Sequence, residues 1–308
     1  PIAAFRRQVD AYVDAVIKEM DYVAENFKDK VLDTVYIGGG TPTTLEPEQL
    51  DRLITALKSK FDFSTVKEFT VEAGRADSIT REKLEVLYRH RVSRISVNPQ
   101  TMKQETLDII GRSHTVEQTK NAFHLAREAG FDNINMDLIV GLPGEDITKV
   151  QHTLDEVKAL GPDSLTVHSL AVKRAARLNI FRDKYQEMTF ENNQEIMNLT
   201  MKTAYEMGMG PYYLYRQKNM KGNFENVGYA KVDKAGIYNI LIMEEKQSII
   251  AAGAGASTKI VLKKPVINPE SKKKKKTSLI RQENVKAIDA YISRVDEMIW
   301  VAYSASVR

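Results

Sequence analysis

The sequence predicts an α/β protein: a partial parallel β-barrel with helices outside it, over residues 1–184, and a smaller C-terminal α+β domain over residues 185–308. Three observations lead there. Five short, apolar, β-rich runs alternate with segments of helical period, which predicts a parallel sheet covered by helices. The alternation recurs about every 30 residues, the length of a barrel βα unit. Near residue 185 it stops, and a tyrosine-rich stretch and two further strand-like pieces follow.

The first helix lies in QVDAYVDAVIKEMDYVAENF, where Val9, Val13, Val16, Met20, Val23 and Phe27 recur at three- or four-residue steps. TVYI is the first strand. PEQLDRLITALKSKF is the next helix, with Pro47 suited to its first turn and Leu50, Leu53, Ile54 and Leu57 on one face. EFTVEAG reads as a strand, TREKLEVLYRH as a helix and SRISVNPQ as a strand. After KQETLDIIGR, the helix TVEQTKNAFHLAREAGF carries a capping box, Thr115 with Gln118, and Gly130 as its stop. NINMDLIVGLPG is a strand and turn. TKVQHTLDEVKALG repeats the grammar with Thr148, Gln151 and Gly161, and DSLTVHSLA is the fifth strand. Beyond it, NNQEIMNLTMKTAYEMG is a helix leading into PYYLYRQKN, and GIYNILIMEE and SIIAAGAGAS read as strands. The lysine run ESKKKKKTS reads as a solvated loop.

Composition narrows the function. A formal net charge of +4 on 308 residues gives little reason to expect a nucleic-acid partner. No apolar run reaches membrane-spanning length, so no membrane partner is expected and the expected location is the cytoplasm. The chain has no cysteine, which excludes disulfides, thiolate nucleophiles and thiolate-held clusters within it. His90, His114, His124 and His152 share no spacing, so no metal site is expected; His168, on the fifth strand, suits either core or pocket lining.

In parallel α/β folds ligands sit at the carboxyl ends of the strands. The first strand ends in Gly38-Gly39-Gly40-Thr41, the second in Glu72 and the third in Gln100. The fourth contains Asp137, the fifth ends near Ser169 to Ala171, and Arg112 follows Gln100. Two carboxylates, an amide, a guanidinium and exposed backbone suit a ligand with an amine or sulfonium, a carboxylate and a ribose. The glycine run is neither G-x-G-x-x-G nor followed by G-K-[ST], and about eight residues separate it from the next helical pattern. A dinucleotide site is therefore disfavoured.

VYIGGGTPT, VEAGR, RISVNPQTM, NMDLIVGLPGE and LTVHSLA, in this order, resemble the oxygen-independent coproporphyrinogen III oxidases, a radical S-adenosylmethionine family. NPQTM and VHSLAVKRAARLN resemble the branch called coproporphyrinogen dehydrogenase, and the likeness runs over nearly all of residues 5–298. The resemblance implies a partial (β/α)6 radical SAM barrel missing its first strand. It implies S-adenosyl-L-methionine bound by Gly39, Gly40, Thr41, Glu72, Gln100, Arg112, Asp137 and Ala171, the glycines meeting the methionine part. It also implies a [4Fe–4S] cluster on a CxxxCxxC-type loop after the family's first strand; those ligands are expected upstream of Pro1, and this chain alone should be inactive. The expected end, IWVAYSASVR, departs from the family's pattern after Met298.

The implied reaction is oxidative decarboxylation of two propionates of coproporphyrinogen III to vinyl groups, giving protoporphyrinogen IX in haem biosynthesis. A 5′-deoxyadenosyl radical would take a hydrogen from each propionate β-carbon; carbon dioxide then leaves and an external acceptor takes an electron. The implied partners are coproporphyrinogen III or another tetrapyrrole, and an electron donor for the cluster. Lys173, Arg174 and Arg177, directly after the fifth strand, are the candidate cations for the substrate's carboxylates, and the tyrosines of YYLYRQ are candidate pocket lining. The alternatives are a haem chaperone of the same family and a cluster-free, non-catalytic paralogue.

Overall fold

A computed structural model of the chain describes residues 2–170, 190–215, 224–267 and 276–304. The chain divides into two compact units, each assembled from separate stretches of sequence. The helical unit comprises Pro1–Thr34, Leu45–Lys67 and Leu241–Arg308; the sheet unit comprises Val35–Thr44 and Glu68–Ile240.

In the helical unit, α1 (Ile2–Asn26) packs on α2 (Pro47–Lys60). Val9, Val13, Met20 and Val23, spaced as the sequence reading requires, form the buried stripe of α1. Helix α2 opens as expected with Pro47 in its first turn, and Glu46 and Gln49 close a capping box. Its Leu50 and Ile54 are fully buried, each contributing roughly 1.5–3 kcal/mol through that burial. The C-terminal segment adds a two-stranded antiparallel hairpin and two short helices. The hairpin strands are β8 (Ser257–Ile267) and β9 (Lys276–Glu283); the helices span Ile288–Ser293 and Val295–Ser304.

The sheet unit is a curled half-barrel sheet of seven strands in the order β1-β2-β3-β4-β5-β7-β6. The strands are β1 (Thr34–Ile37), β2 (Glu68–Gly74), β3 (Arg94–Val97), β4 (Ile134–Val140), β5 (Ser164–Ser169), β6 (Gly210–Tyr215) and β7 (Asn226–Ala230). Strands β2 to β5 pair in parallel, and β7 and β6 continue the sheet antiparallel. The expected α/β fold is therefore present, with each of the five expected strands in place. The intervening helices are α3 (Arg81–Arg89), α4 (Gln104–Ile109), α5 (Val116–Glu128) and α6 (Ile147–Leu160). Helix α7 (Gln194–Glu206) precedes β6.

Two-residue alternation along each strand sorts the faces. Val71, Ala73, Ile95, Val97, Met136, Leu138, Leu165 and Val167 are buried apolar residues, as are Leu84, Leu87, Phe123, Leu154 and Val157 of the surrounding helices. The alternate residues are polar: Thr70 and Glu72, Arg94 and Ser96, Asn135 and Asp137, Thr166 and His168.

Three local expectations are corrected. Helix α6 is capped by Asp146, whose carboxylate accepts from the Thr148 and Lys149 amides at 3.0 Å, so Thr148 lies inside the helix. GIYNILIMEE forms helix α8 (Ile237–Met243). Its β-prone residues are overridden because the Glu68 carboxylate, distant in sequence, accepts from the Ile237 amide at 2.6 Å and the Tyr238 amide at 3.3 Å. SIIAAGAGAS forms no strand apart from an isolated bridge, Ile249 to Lys259; left-handed Gly253 and Gly255 interrupt it, and the strands begin beyond, at Ser257. Among the described residues no helix is long and apolar enough to cross a membrane.

Candidate functional site

The glycine loop leaves β1 at its carboxyl end, and its three glycines are needed for different reasons. A Cβ on Gly38 would lie 2.5 Å from the Tyr36 ring and 2.8 Å from the Glu72 carboxyl carbon. Gly39 has φ +95, which side chains rarely adopt. Gly40 has nothing within 4 Å of a built Cβ, so only an approaching molecule would require it to be glycine. The loop's exit is fixed in a short 3-10 turn, Pro42–Thr44. There Thr43 donates to the Ala73 carbonyl at 2.6 Å, and buried Lys83 donates to the Thr43 carbonyl at 2.8 Å.

Glu72, near the end of β2, is held from two sides. The Tyr36 hydroxyl donates to Oε1, and the Gly39 amide donates to Oε2 at 3.2 Å. Burial pushes the Glu72 carboxyl up from its usual range; the bonds from Tyr36 and Gly39 oppose this, and Asp137 adds to it. Burial and the Glu72 charge also push the Tyr36 hydroxyl far up, so it remains a donor. The Tyr36 ring stacks on Tyr238 with centroids 4.3 Å apart.

Asp137 stands two strands away. Burial raises its pKa, but His168, Asn135 and Thr166 outweigh burial and leave the carboxyl below its usual range. Asn135 donates to Oδ1 at 2.7 Å, and His168 Nε2 lies 3.9 Å from Oδ2. Gln100 follows β3 with φ +66 and bridges to β4: its amide donates to the Asp137 carbonyl at 3.0 Å, and its carbonyl accepts from the Ile139 amide at 2.9 Å. That leaves the Gln100 side chain half-buried at the rim.

Glu72 and Asp137 line one cavity of about 140 Å³ with Tyr36, Thr70, Arg94, Ser96, Asn135, Thr166, His168, Tyr213 and Asn239. Among the described residues, the buried atoms Ser96 Oγ, Asn98 Oδ1 and both amide atoms of Asn192 have no hydrogen-bond partner. Asn192 packs beside the ends of β4 and β5, 3.2 Å from where a Gly141 Cβ would be. Buried polar atoms without partners cost free energy unless a ligand or water meets them.

The structure thus brings Gly39, Glu72, Gln100 and Asp137 to one end of the sheet. Thr41 stands beside the end of β2, 3.7 Å from a Gly74 Cβ position. Arg112 is on the turn after α4, exposed and outside the cavity lining, and its guanidinium has no partner among the described residues. Its neighbour Arg75 is paired with Asp77. Ala171, Lys173, Arg174 and Arg177 lie outside the described residues, as does most of the lysine run. Sequence reasoning missed Tyr36, Arg94, Ser96, Asn135 and Thr166. The signal was available: polar residues two apart within four otherwise apolar strands mark a wet face. Of the tyrosines it considered, Tyr213 lines the cavity.

Comparison with known proteins adds the family. The model of the radical SAM superfamily matches residues 4–157, half of the chain. An oxygen-independent coproporphyrinogen-III oxidase-like protein, HemZ of Bacillus subtilis, is 46% identical over 257 residues, 82% of this chain and 51% of that protein. The heme chaperone HemW of Lactococcus lactis is 33% identical over 64% of this chain and 52% of its own length. The chain spans about half the length of these curated relatives. Among solved structures, the coproporphyrinogen III oxidase HemN of Escherichia coli, a radical SAM enzyme, superposes with a TM-score of 0.71. It covers 95% of this chain and 63% of that one at 22% identity, a likeness of fold.

Proposed function

The chain belongs to the radical SAM superfamily, and from that premise we propose that it is the cofactor-binding barrel of a coproporphyrinogen III dehydrogenase. The whole protein would convert two propionates of coproporphyrinogen III to vinyl groups, giving protoporphyrinogen IX. The observation that supports this most is the strand-end rim. Two carboxylates, Glu72 and Asp137, and the unpartnered Ser96 hydroxyl line one small polar cavity, and an open glycine loop meets Glu72 through the Gly39 amide. The kinship with proteins named coproporphyrinogen III oxidase or oxidase-like supports the choice of substrate.

These residues fit S-adenosylmethionine. Glu72, with acceptor capacity left on both oxygens, suits its amino group, and Asp137, whose carboxyl its neighbours hold below the usual range, suits a ribose hydroxyl. The Gly39–Gly40 backbone leaves room for the methionine part, Gln100 offers a side-chain amide, and exposed Arg112 suits a carboxylate. When bound, the group supplies the hydrogen abstraction; the protein's part is to hold it, orient the substrate and exclude water. An iron–sulfur cluster does not fit this chain, because its irons require thiolates and the sequence has no cysteine. We assign Lys173, Arg174 and Arg177 to the propionates; neutralising Arg174 and Arg177 together should raise the apparent KM for coproporphyrinogen severalfold.

The whole protein, assayed anaerobically with coproporphyrinogen III, S-adenosylmethionine, a reductant for the cluster and an electron acceptor for the decarboxylation, tests the reading. Protoporphyrinogen, read by chromatography as protoporphyrin after air oxidation, is the expected product. A second reading, haem binding and transfer, is favoured by the likeness to heme chaperones. Stoichiometric haem uptake without decarboxylation would establish it and overturn the first.

A further inference from the structure

The positive charge of the chain is concentrated in the β8–β9 hairpin. Residues 257–283 hold nine Lys or Arg against two Glu, whereas the other 281 residues hold 36 Lys or Arg against 39 Asp or Glu. The net charge of +4 is thus a hairpin of +7 on a remainder of −3. The hairpin is held at its base. Buried Thr258 accepts from the Ala251 amide at 3.0 Å, the Ser248 hydroxyl accepts from the Val261 amide at 2.9 Å, and buried Asn284, just past β9, donates to the Glu19 carboxylate at 2.9 Å. The other end is exposed. Every residue of β8 from Lys263 to Ile267 is exposed, as is Lys276, the β9 partner of Ile267. Lys272 to Lys275 directly precede Lys276 in the sequence. Val266 and Ile267, 41% and 57% exposed, stand among these cations. We infer that this end of the hairpin is a peripheral docking surface for an anionic lipid bilayer, with its lysines on the head groups and Val266 and Ile267 in the apolar layer beneath them.

Three kinds of partner take a cationic hairpin, and the residues choose among them. Single-stranded nucleic acid is held by Arg forks and by aromatic rings that stack on bases. The hairpin has no aromatic residue and one Arg, Arg281, which lies 3.7 Å from Glu245. A strand of another chain would add to an open sheet edge. Here the pairing is regular from Ser257–Glu283 to Val261–Leu279 and resumes only at Val266–Thr277. Leu262 to Pro265 therefore bulge opposite Ser278, and a bulge, a proline and lysines all blunt an edge. An acidic bilayer takes compact cations beside aliphatic side chains, which Lys263, Lys264 and Lys276 supply around Val266 and Ile267. The long lysine stems let the charges stay at the head groups while the aliphatic residues go deeper. Such a contact is made at the membrane surface, so the lack of a spanning run in the sequence bears on insertion and not on this contact.

The test is flotation of the full chain with vesicles of phosphatidylcholine alone or mixed with phosphatidylglycerol, at low and at physiological salt. The chain should float with the mixed vesicles and not with phosphatidylcholine alone, and the binding should weaken as salt screens the head groups. One lysine near an anionic surface strengthens binding about fivefold, so Lys263→Gln with Lys264→Gln should weaken it about tenfold or more. Val266→Ser with Ile267→Ser should weaken vesicle binding severalfold and leave retention on a random-sequence DNA duplex unchanged. All four positions are exposed, so thermal unfolding of both variants should match wild type; should one variant unfold, the other decides. No flotation with the mixed vesicles overturns the proposal and leaves the lysines as solvation of an exposed edge. Flotation that both variants retain in full places the contact elsewhere on the chain and overturns it too. Binding to the duplex as tight as to the vesicles, with no effect of the serine substitutions on either, overturns it in favour of nucleic acid.

Discussion

Glu19 in the helical unit and Glu72 in the sheet unit are both carboxylates withdrawn from water, and both accept from a tyrosine hydroxyl. Glu19 is 0% exposed. It receives the Gly253 amide at 2.9 Å, the Asn284 side-chain amide at 2.9 and 3.2 Å, and the Tyr291 hydroxyl at 2.5 Å. These donors come from three segments far from α1 in sequence, so the carboxylate joins that unit's N- and C-terminal parts. Among the described residues, Glu72 receives Tyr36 and Gly39 alone, shares its cavity with a second carboxylate and stays half-buried. Counting donors against acceptor capacity separates a carboxylate whose acceptors are filled by the fold from one with acceptor capacity left over.

The contrast breaks most visibly under truncation. Glu19→Ala strands three buried donors and should destabilise the chain by about 3 kcal/mol or more, read from urea unfolding. Glu72→Gln should stay within about 1 kcal/mol of wild type. If the two losses were equal, Glu72 would be a second structural anchor. Next in size is binding. Asp137→Ala and Arg112→Ala should each weaken S-adenosyl-L-homocysteine binding by about 1.5–3 kcal/mol, roughly 10- to 150-fold by calorimetry. Unchanged affinity in both would show that the ligand sits elsewhere.

The glycines sharpen the comparison further. Gly38→Ala drives a methyl group into Tyr36 and Glu72 and should cost about 1–3 kcal/mol of stability. Gly40→Ala meets nothing within 4 Å, so unfolding should be little changed while ligand affinity falls.

The smallest effect is electrostatic. Glu72 has a raised pKa, so its contribution to stability is present below the ordinary carboxylate range and is lost as pH rises through the raised value. Asp137 has a lowered pKa, so its contribution is present above that range and is lost as pH falls through the lowered value. As pH rises above the ordinary carboxylate range, Glu72→Gln should therefore become relatively more favourable; as pH rises through the range below it, Asp137→Asn should become relatively less favourable. Unfolding midpoints moving in the same direction would contradict one of the two assignments.

The parallel strands were legible in the sequence because each is a compact apolar run bounded by turn residues, and EFTVEAG became β2 residue for residue. The rim was legible because strand ends concentrate polar groups. What escaped depended on distant partners. GIYNILIMEE carries strand propensity, and only Glu68 explains why it is helical. The hairpin β8–β9 begins just after two left-handed glycines, and its apolar pattern is faint because much of it is exposed. Tyr36 read as one more apolar strand residue, since no local pattern reveals a hydroxyl meeting a carboxylate 36 positions away.

The capping of α8 by Glu68 has one more consequence. Glu68 and Glu72 lie on the same face of β2, four residues and roughly 13 Å apart. One strand therefore carries both the cap of α8, which brings Asn239 to the cavity, and the Glu72 that lines it. Nearby, the Arg94 guanidinium donates to the Lys234 carbonyl, and the Asn239 side-chain amide donates to the Tyr212 hydroxyl. Glu68 therefore shapes the cavity from outside its lining: by fixing the start of α8 it fixes where Asn239 faces the strand that carries Glu72.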